Sequence, residues 1–531
     1  MDYLNAVSLE LWLRFWSAAD APTLKVLSLV CKRFHALFQP LVFQHLFVAT
    51  PETAYDVDTE ILAQKDALIA RFSNIADDPA LAALVKTARF DERLQMGRPS
   101  ARKAMRAVKT EVPAAFFEKL LKLQNLHTLT LWEADPDFDR ENPVREVTKE
   151  LPMLRHLHLH GIILEQGDTL PLESFTFANN SRAFVLRRDD PLDIVDPTTI
   201  QRLVLRGNRE LHHILVALRG QPLSFLRHLE LDISDEVPEA EAVALLEQCP
   251  ELKSLVLYRH PVGGSEEEYL RITGAGVQQQ FMARTLNAWM PSPAASGMGA
   301  RNAMLRLMAS GDQDAIAAAL ASNRPLPGQE ISITIPEGCL PALRTLHCPF
   351  SYAASIVPGR TTLRALTLIR DPASTEPRDS TQDATDTFSA FARAPPSGLT
   401  RLSLFAPLLL EELPQILETM STGVPHLRHL AIALHAPDGL GHAGLHNLLA
   451  AGRWTAPVLP PSVETLEIVY ARARRGGLSA DDGDLKDVAL AIARAVAGSQ
   501  TTGVLKRVAF SLDGEEVDLG KGESGEWAVV A

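Results

Sequence analysis

One arrangement of apolar and polar positions recurs along the chain: an apolar residue, two variable positions, then two apolar residues separated by one. It starts weakly as "VKTARF" at Val85 and continues as "LHTLTL" at Leu126, "LRHLHL" at Leu154, "LESFTF" at Leu172, "IQRLVL" at Ile200, "LRHLEL" at Leu226 and "LKSLVL" at Leu252. It resumes as "LRTLHC" at Leu343, "LRALTL" at Leu363, "LTRLSL" at Leu399, "LRHLAI" at Leu427, "VETLEI" at Val463 and "LKRVAF" at Leu505. Alternation with a period of two predicts a short strand whose apolar positions share one face and whose other face is wet. One such strand cannot bury its apolar face, but strands stacked side by side share a continuous core. Start positions 126, 154, 172, 200, 226 and 252 are separated by 28, 18, 28, 26 and 26 residues, which leaves room for a return path between parallel strands. "PEAEAVALLEQC", "LLLEELPQILETM" and "DGDLKDVALAIARAVAG" supply helical periodicity for that path. Pro152, Pro250, Pro341, Pro425 and Pro461 each stand two positions before a unit, where a fixed φ stops a helix and extends the backbone.

Asn180 and Asn208 fall where the chain turns out of its strand, a place for an amide to satisfy backbone groups leaving the sheet. With these features residues 81–515 resemble a leucine-rich repeat array, and "EQCPELKSLVL" around Cys249 is similar to the cysteine-containing subtype. The fold expected is α/β, a solenoid with parallel strands on its concave face and helices outside. Two stretches interrupt the pattern. Residues 259–340 hold two helical patterns joined by "PSPAASGMGA" and read as an inserted helical flap. Residues 371–398 are rich in Pro, Ser, Thr and Asp and read as a mobile loop. The organisation expected is therefore repeats over 81–258, an insertion over 259–340, repeats over 341–515, and an acidic tail over 516–531 whose "EWAVVA" could add an edge strand.

Ahead of the array, Leu11, Trp12, Phe15 and Trp16 recur at helical spacing. Asp20 and Pro22 open a second helix carrying Leu24, Leu27, Val30, Cys31, Phe34, Leu37 and Phe38, with Pro40 as its end and "PLVFQHLF" as a third helix. "LEL" at 9–11 and "LKVLSLVCKRFHAL" at 24–37 make residues 1–50 resemble an F-box, although Val7 and Ser8 stand where that family carries Leu-Pro. The resemblance implies that Leu9, Leu11, Phe15, Leu24, Leu27, Val30, Cys31 and Phe34 meet the Skp adaptor and, through it, a cullin. The plainer alternative is that these helices cover the exposed core of the first repeat. Residues 51–80 read as a helical linker.

Composition narrows the field. Of 531 residues 46% are hydrophobic and 22% charged, ordinary for a folded chain. The net charge is −13, and the one short basic cluster is Arg472, Arg474 and Arg475, so nucleic acid is a poor partner. Four cysteines without C-x-x-C spacing form neither a disulfide framework nor a metal site, which points to a reducing compartment, cytoplasmic or nuclear. No basic-then-apolar leader opens the sequence, and no apolar run approaches the ~18 residues of a membrane span.

The outward strand positions form the expected substrate-binding face: Trp132, His156, His158, His160, Arg202, Arg206, His228, Tyr258, His347, Arg401, Phe405 and His429. His156, His158 and His160 share one strand face, a spacing that could ligate zinc, but only His228 offers itself as a further ligand. Asp135, Asp137, Asp139 and Glu146 fall at calcium-loop positions, yet Arg140 occupies the place that needs glycine. No phosphate loop, nucleophile elbow, zinc-protease motif or cysteine–histidine nucleophile is present, so neither a catalytic residue nor a cofactor is expected. Together these features favour a non-catalytic substrate receptor of an SCF-type ubiquitin ligase. The rivals are a leucine-rich interaction scaffold unconnected with ubiquitin and a hydrolase within 259–340.

Overall fold

The computed structural model describes residues 21–50, 58–92, 102–132, 144–162, 169–179, 191–207, 211–233, 239–259, 335–336, 338–370, 377–408, 413–435, 459–471, 504–512, 515–522 and 525–529. The chain divides into two compact units, the first through Phe225 and the second from Leu226. Both are α/β, built on long runs of parallel strands of the solenoid kind.

In the first unit the strands are β1 (His45–Ala49), β2 (Thr87–Asp91), β3 (Thr128–Trp132), β4 (His156–His160), β5 (Ser174–Asn179) and β6 (Arg202–Gly207). Each pairs in parallel with the next in chain order. The register aligns Leu46, Ala88, Leu129, Leu157, Phe175 and Leu203 in one inward row and Val48, Phe90, Leu131, Leu159, Phe177 and Leu205 in the next, all of them buried. Alternation of the sequence is thus the cause of the core: one residue out of register would turn a whole row outward. At the leading edge a single carbonyl takes two N–H groups from the following unit. Gln44 accepts from Lys86 and Thr87, Lys86 from His127 and Thr128, and His127 from Arg155 and His156.

Helices α1 (Ala21–Ser28) and α2 (Lys32–Phe43) precede β1, and α3 (Asp58–Asp77) and α4 (Pro79–Ala82) join β1 to β2. Next come α5 (Arg102–Leu120), α6 (Val144–Lys149) and α7 (Leu211–Leu218). Phe72 of α3 meets Phe116 of α5 edge-on with ring centroids 6.1 Å apart, and Phe90 of β2 lies 5.1 Å from Phe116. Buried Lys65 of α3 is neutralised by Glu111 of α5 and by Asp66 at 3.2 Å.

These features correct the expected boundaries. The array begins with β1, so "HLFVA" is a strand and not the end of a third helix; Leu46 and Val48 are already committed to the inward rows. The expected second helix is two helices broken at Leu29–Cys31, where the Cys31 Sγ accepts the Phe34 N–H at 3.5 Å as a cap. Pro40 lies inside α2 and does not end it. Residues 51–80 are no linker, since α3 is the return helix between two paired strands.

The second unit contains β7 (His228–Ile233), β8 (Ser254–Arg259), β9 (Thr345–Pro349), β10 (Ala365–Ile369), β11 (Arg401–Leu408), β12 (His429–His435), β13 (Thr465–Ala471) and β14 (Arg507–Leu512), again parallel in chain order. Strand β8 bonds directly to β9 through Ser254↔Thr345, so the array is unbroken across the intervening residues of the insertion. Most of that insertion (260–334) lies outside the described residues, as do Asn180, Asn208 and the helical pattern from Asp481. The second unit's helices are α8 (Glu239–Glu247), α9 (Phe350–Ile356), α10 (Pro377–Arg393) and α11 (Leu413–Gly423).

Helix α10 overturns the mobile loop expected over 371–398. Its Ala384, Phe388 and Phe391 are fully buried, and the two phenyl rings meet edge-on at 5.6 Å. The acidic tail is more ordered than expected, and its "EWAVVA" does supply an edge strand. Strand β15 (Glu515–Lys521) returns antiparallel along β14, and β16 (Trp527–Val529) pairs antiparallel with β15.

Candidate interaction surfaces

The sequence of α1 places apolar residues around most of its circumference, and only some find cover. Leu24, Leu37 and Phe38 form a small core with Leu27, Phe34, Leu41 and Val42 packed against it, the Phe34 and Phe38 rings 5.2 Å apart. Val26, Leu29 and Val30 are left 65%, 77% and 63% exposed. Of the residues expected to meet an adaptor, Leu24 is therefore inside, Leu27, Cys31 and Phe34 are half-buried, and Val30 is displayed. Leu9, Leu11 and Phe15 lie outside the described residues. Val26 and Leu29 escaped the sequence reading because they fall off the three-four spacing that picks out Leu24 and Leu27, whereas Val30 keeps that spacing but lies past the break after α1 and faces outward.

On the outward face of the first unit the register builds three rows. Phe47, Arg89, Thr130, His158, Thr176 and Val204 form the middle one, and Asp91, Trp132, His160, Ala178 and Arg206 lie along its trailing side. The Arg89 guanidinium sits 5.4 Å from the Phe47 ring centroid and 5.5 Å from that of Trp132, while its Nη2 donates to Asp91 Oδ2 at 3.2 Å. Trp132 stacks on His160 at 4.2 Å and 10°. The His158 Nδ1 and the Thr176 hydroxyl share a hydrogen bond of 2.9 Å. His156 is half-buried, and Arg202 and Arg206 are exposed.

Burial, with Arg206, His158 and Arg89 adding repulsion, pulls the His160 imidazole down to about 3. Burial, aided by His156 and Arg202, pulls His158 down to about 4. Both rings are thus neutral near pH 7 and act as flat polar surface, not as cations. Their engagement with Trp132 and Thr176 is what the zinc reading has to contend with. Among the described residues no group of three or more His, Cys, Asp or Glu side chains is placed to hold one ion. Asp135, Asp137 and Asp139 lie outside the described residues.

Behind this platform, Glu92 follows β2 with its N–H donated to the Trp132 carbonyl at 2.8 Å. Its side chain is 2% exposed, and neither carboxylate oxygen has a hydrogen-bond partner. Burial pushes this carboxyl up to about 7 from an ordinary 4.5, with Lys109 working in the opposite direction. Between those two values the folded protein holds a proton that the unfolded chain has released, so stability falls as pH rises through the window. Glu92→Gln is expected to melt with the wild type below pH 4.5 and to be more stable above pH 7, by up to roughly 3 kcal/mol. His158 and His160 act oppositely, because the unfolded chain takes up their protons first as pH falls below 6.5. Thermal melts of both proteins across this range check the prediction.

The outward face of the second unit is different in kind. Glu230 and Asp232 of β7 are buried there, as is His347, whose ring meets that of Tyr258 at 5.2 Å. Tyr258, Ile369, Phe405 and Ala433 form an apolar seam on the face opposite the leucines. Phe405, expected as a displayed contact residue, is only 7% exposed, because Ile369 and Ala433 flank it on the neighbouring strands. His228, Tyr258 and His429 are half-buried, and Arg401 is exposed. Pattern alone assigns a face; it does not show which members of that face pack on one another.

No protein-family model matches the chain, and no curated protein matches it. Among solved structures, the complex of Rad7 and Elc1 in yeast is similar over 85% of this chain and 92% of that one, at 13% identity and a TM-score of 0.31. A likeness that shallow carries no argument, and the class rests on the chain's own geometry: a mixed α/β repeat array of parallel strands. Among the described residues no helix is long and apolar enough to cross a membrane.

Proposed function

We propose that this chain is a non-catalytic substrate-recognition subunit of an SCF-type cullin-RING ubiquitin ligase, cytoplasmic or nuclear. Its N-terminal helices dock on the Skp adaptor, and through it on a cullin, while the repeats hold a protein substrate. The observation that carries the reading is the uncovered apolar turn Val26, Leu29 and Val30 beside a core too small to enclose it. Solvent-facing apolar side chains clustered in this way are what a partner helix buries. The repeats add a rigid frame from which arginine and aromatic side chains project, the residue types that dominate protein contacts. Tethering raises the local concentration of substrate beside the charged ubiquitin carrier, so the chain itself needs no reacting group and no cofactor.

A second reading has one observation in its favour. Strand β1 occupies residues expected for the third helix, so α1 and α2 also serve as the lead-in to an array. On that reading the chain is an interaction scaffold with a helical cap and no link to ubiquitin. Val26→Asp with Val30→Asp separates the two, since both side chains are exposed and the substitutions are expected to leave the fold intact. Co-purification with the Skp adaptor is expected to fall more than about tenfold with an unchanged melting curve. Undiminished capture by the double variant, or no capture by the wild type, leaves the scaffold reading.

A further inference from the structure

The leading edge of the second unit carries a feature that neither the leucine pattern nor the adaptor reading uses. Just before each strand, one carbonyl accepts two N–H groups of the next unit. Arg227 accepts from Lys253 and Ser254, Lys253 from Arg344 and Thr345, Arg344 from Arg364 and Ala365, Arg364 from Thr400 and Arg401, and Thr400 from Arg428 and His429. This bonding holds the same position of successive units in line. The side chains on that line are Arg227, Lys253, Arg344, Arg364, Thr400 and Arg428, and where the fifth is Thr400 the adjoining strand position is Arg401. Every one of these neighbouring strands, β7 to β12, therefore places a cation at its leading edge. Arg227, Arg344, Arg364, Arg401 and Arg428 are exposed, and Lys253 is half-buried.

Counter-charge is scarce along the line. Among the described residues Arg227, Lys253, Arg344, Arg364 and Arg401 form no ion pair, and Arg428 reaches only Glu464, at 4.0 Å. Glu464, the acidic residue at the next leading-edge position, is occupied by Lys506 at 2.8 Å, and Arg507 by Asp518. Glu230 and Asp232 are buried further along β7, which leaves exposed Glu251 as the nearby acid in the turn before Lys253. On a chain with a net charge of −13 this ridge is a local exception. Strands about 4.8 Å apart give it a length of about 24 Å over its six members.

We infer that this ridge binds an extended acidic polypeptide segment, laid across the strands. An extended chain rises about 3.3 Å per residue, so about seven residues cover the ridge and meet a cation at each strand. The neighbouring outward positions are His228, Ser254, Thr345, Ala365, Arg401 and His429; the small side chains in the middle leave room for a backbone, and the two half-buried imidazoles stand at opposite ends and make no continuous aromatic platform for stacked bases. Among the described residues the exposed large apolar side chain of this unit is Val529 of β16, and Phe225, 57% exposed, stands two residues ahead of Arg227; one phenyl ring at one end of a six-membered line is far short of the apolar face that a lipid surface takes up. Carboxylates and phosphates would be read alike here, by charge and spacing. The inference rests on the repeats being the partner-holding part of the proposed receptor and is independent of the adaptor.

The test uses the full chain without adaptor and three fluorescent probes: octaglutamate, a phosphoserine octapeptide and a single-stranded oligouridylate. Both peptides are expected to bind, with affinity falling steeply as salt is raised. Lys253→Glu, Arg344→Glu and Arg401→Glu together should weaken peptide binding more than about tenfold at an unchanged melting temperature. The corresponding triple glutamine variant should show a smaller loss. A preference between the two peptides tells carboxylate from phosphate. Equal binding by the wild type and both triple variants, or absence of binding by the wild type, overturns the ridge; tighter binding of the oligouridylate overturns the choice of polypeptide. Adaptor capture by the triple variants should match the wild type, so a failure here is distinguishable from a failure of the adaptor reading.

Discussion

Replacing Phe391 with alanine is expected to cost the second unit about 3–5 kcal/mol. Phe391 is completely enclosed, its ring meets that of Phe388 at 5.6 Å, and the α11 terminus at Gly423 is so close that an added Cβ there would lie 3.2 Å from the Phe391 Cβ. Such a site cannot collapse to fill the void, which puts the loss at the upper end for a core aromatic. Chemical denaturation followed by far-ultraviolet circular dichroism should show an early transition for the second unit. An unchanged curve would mean that α10 is as dispensable as a loop.

The second large effect is expected at Gly398, one residue before the "LTRLSL" unit. A Cβ at this position would lie far inside van der Waals distance of the Thr361 carbonyl oxygen and 2.8 Å from that of Leu363. Both obstacles are backbone, so neither can rotate away. Gly398→Ala should therefore cost about 3 kcal/mol or more, the high end for overpacking. Soluble yield and melting temperature report the outcome, and a tolerated alanine would show that the two connecting segments can move apart at little cost. Arg364, whose Nη1 donates to the Gly398 carbonyl at 3.0 Å, stitches the same two segments together.

These two positions also show where sequence reading works and where it fails. Rows such as Leu129, Leu157, Phe175 and Leu203 were legible because a period of two admits one structural answer once strands are stacked. Helix α10 was missed because its composition is that of a loop. Three of its hydroxyls do not compete with the helix; they fold back onto it. Thr385 donates to the Thr381 carbonyl at 2.9 Å, Thr387 to Asp383 at 2.7 Å and Ser389 to Thr385 at 2.8 Å. The usable signal was the spacing of Ala384, Phe388 and Phe391 at four and three. Strand β1 was hidden for the opposite reason, its two inward residues being absorbed into an apolar run that resembles a helix.

The candidate surfaces were legible to a lesser degree. Trp132, His158 and His160 do share a face, but the stack between Trp132 and His160, the clasp of Arg89 between two rings and the orphaned Glu92 carboxylate arise between strands distant in sequence. The basic ridge was visible only as scattered "LR" and "LK" pairs until the register aligned them.

The antiparallel return of β15 and β16 has a consequence for self-association. A row of like-directed strands leaves a border of unsatisfied N–H and C=O groups, a template on which another molecule could crystallise its own first strand. Here the chain doubles back on β14, and the strand then facing outward, Trp527–Val529, is three residues long. Such a stub offers too little backbone to nucleate growth, so a local hairpin blunts this border against fibre formation.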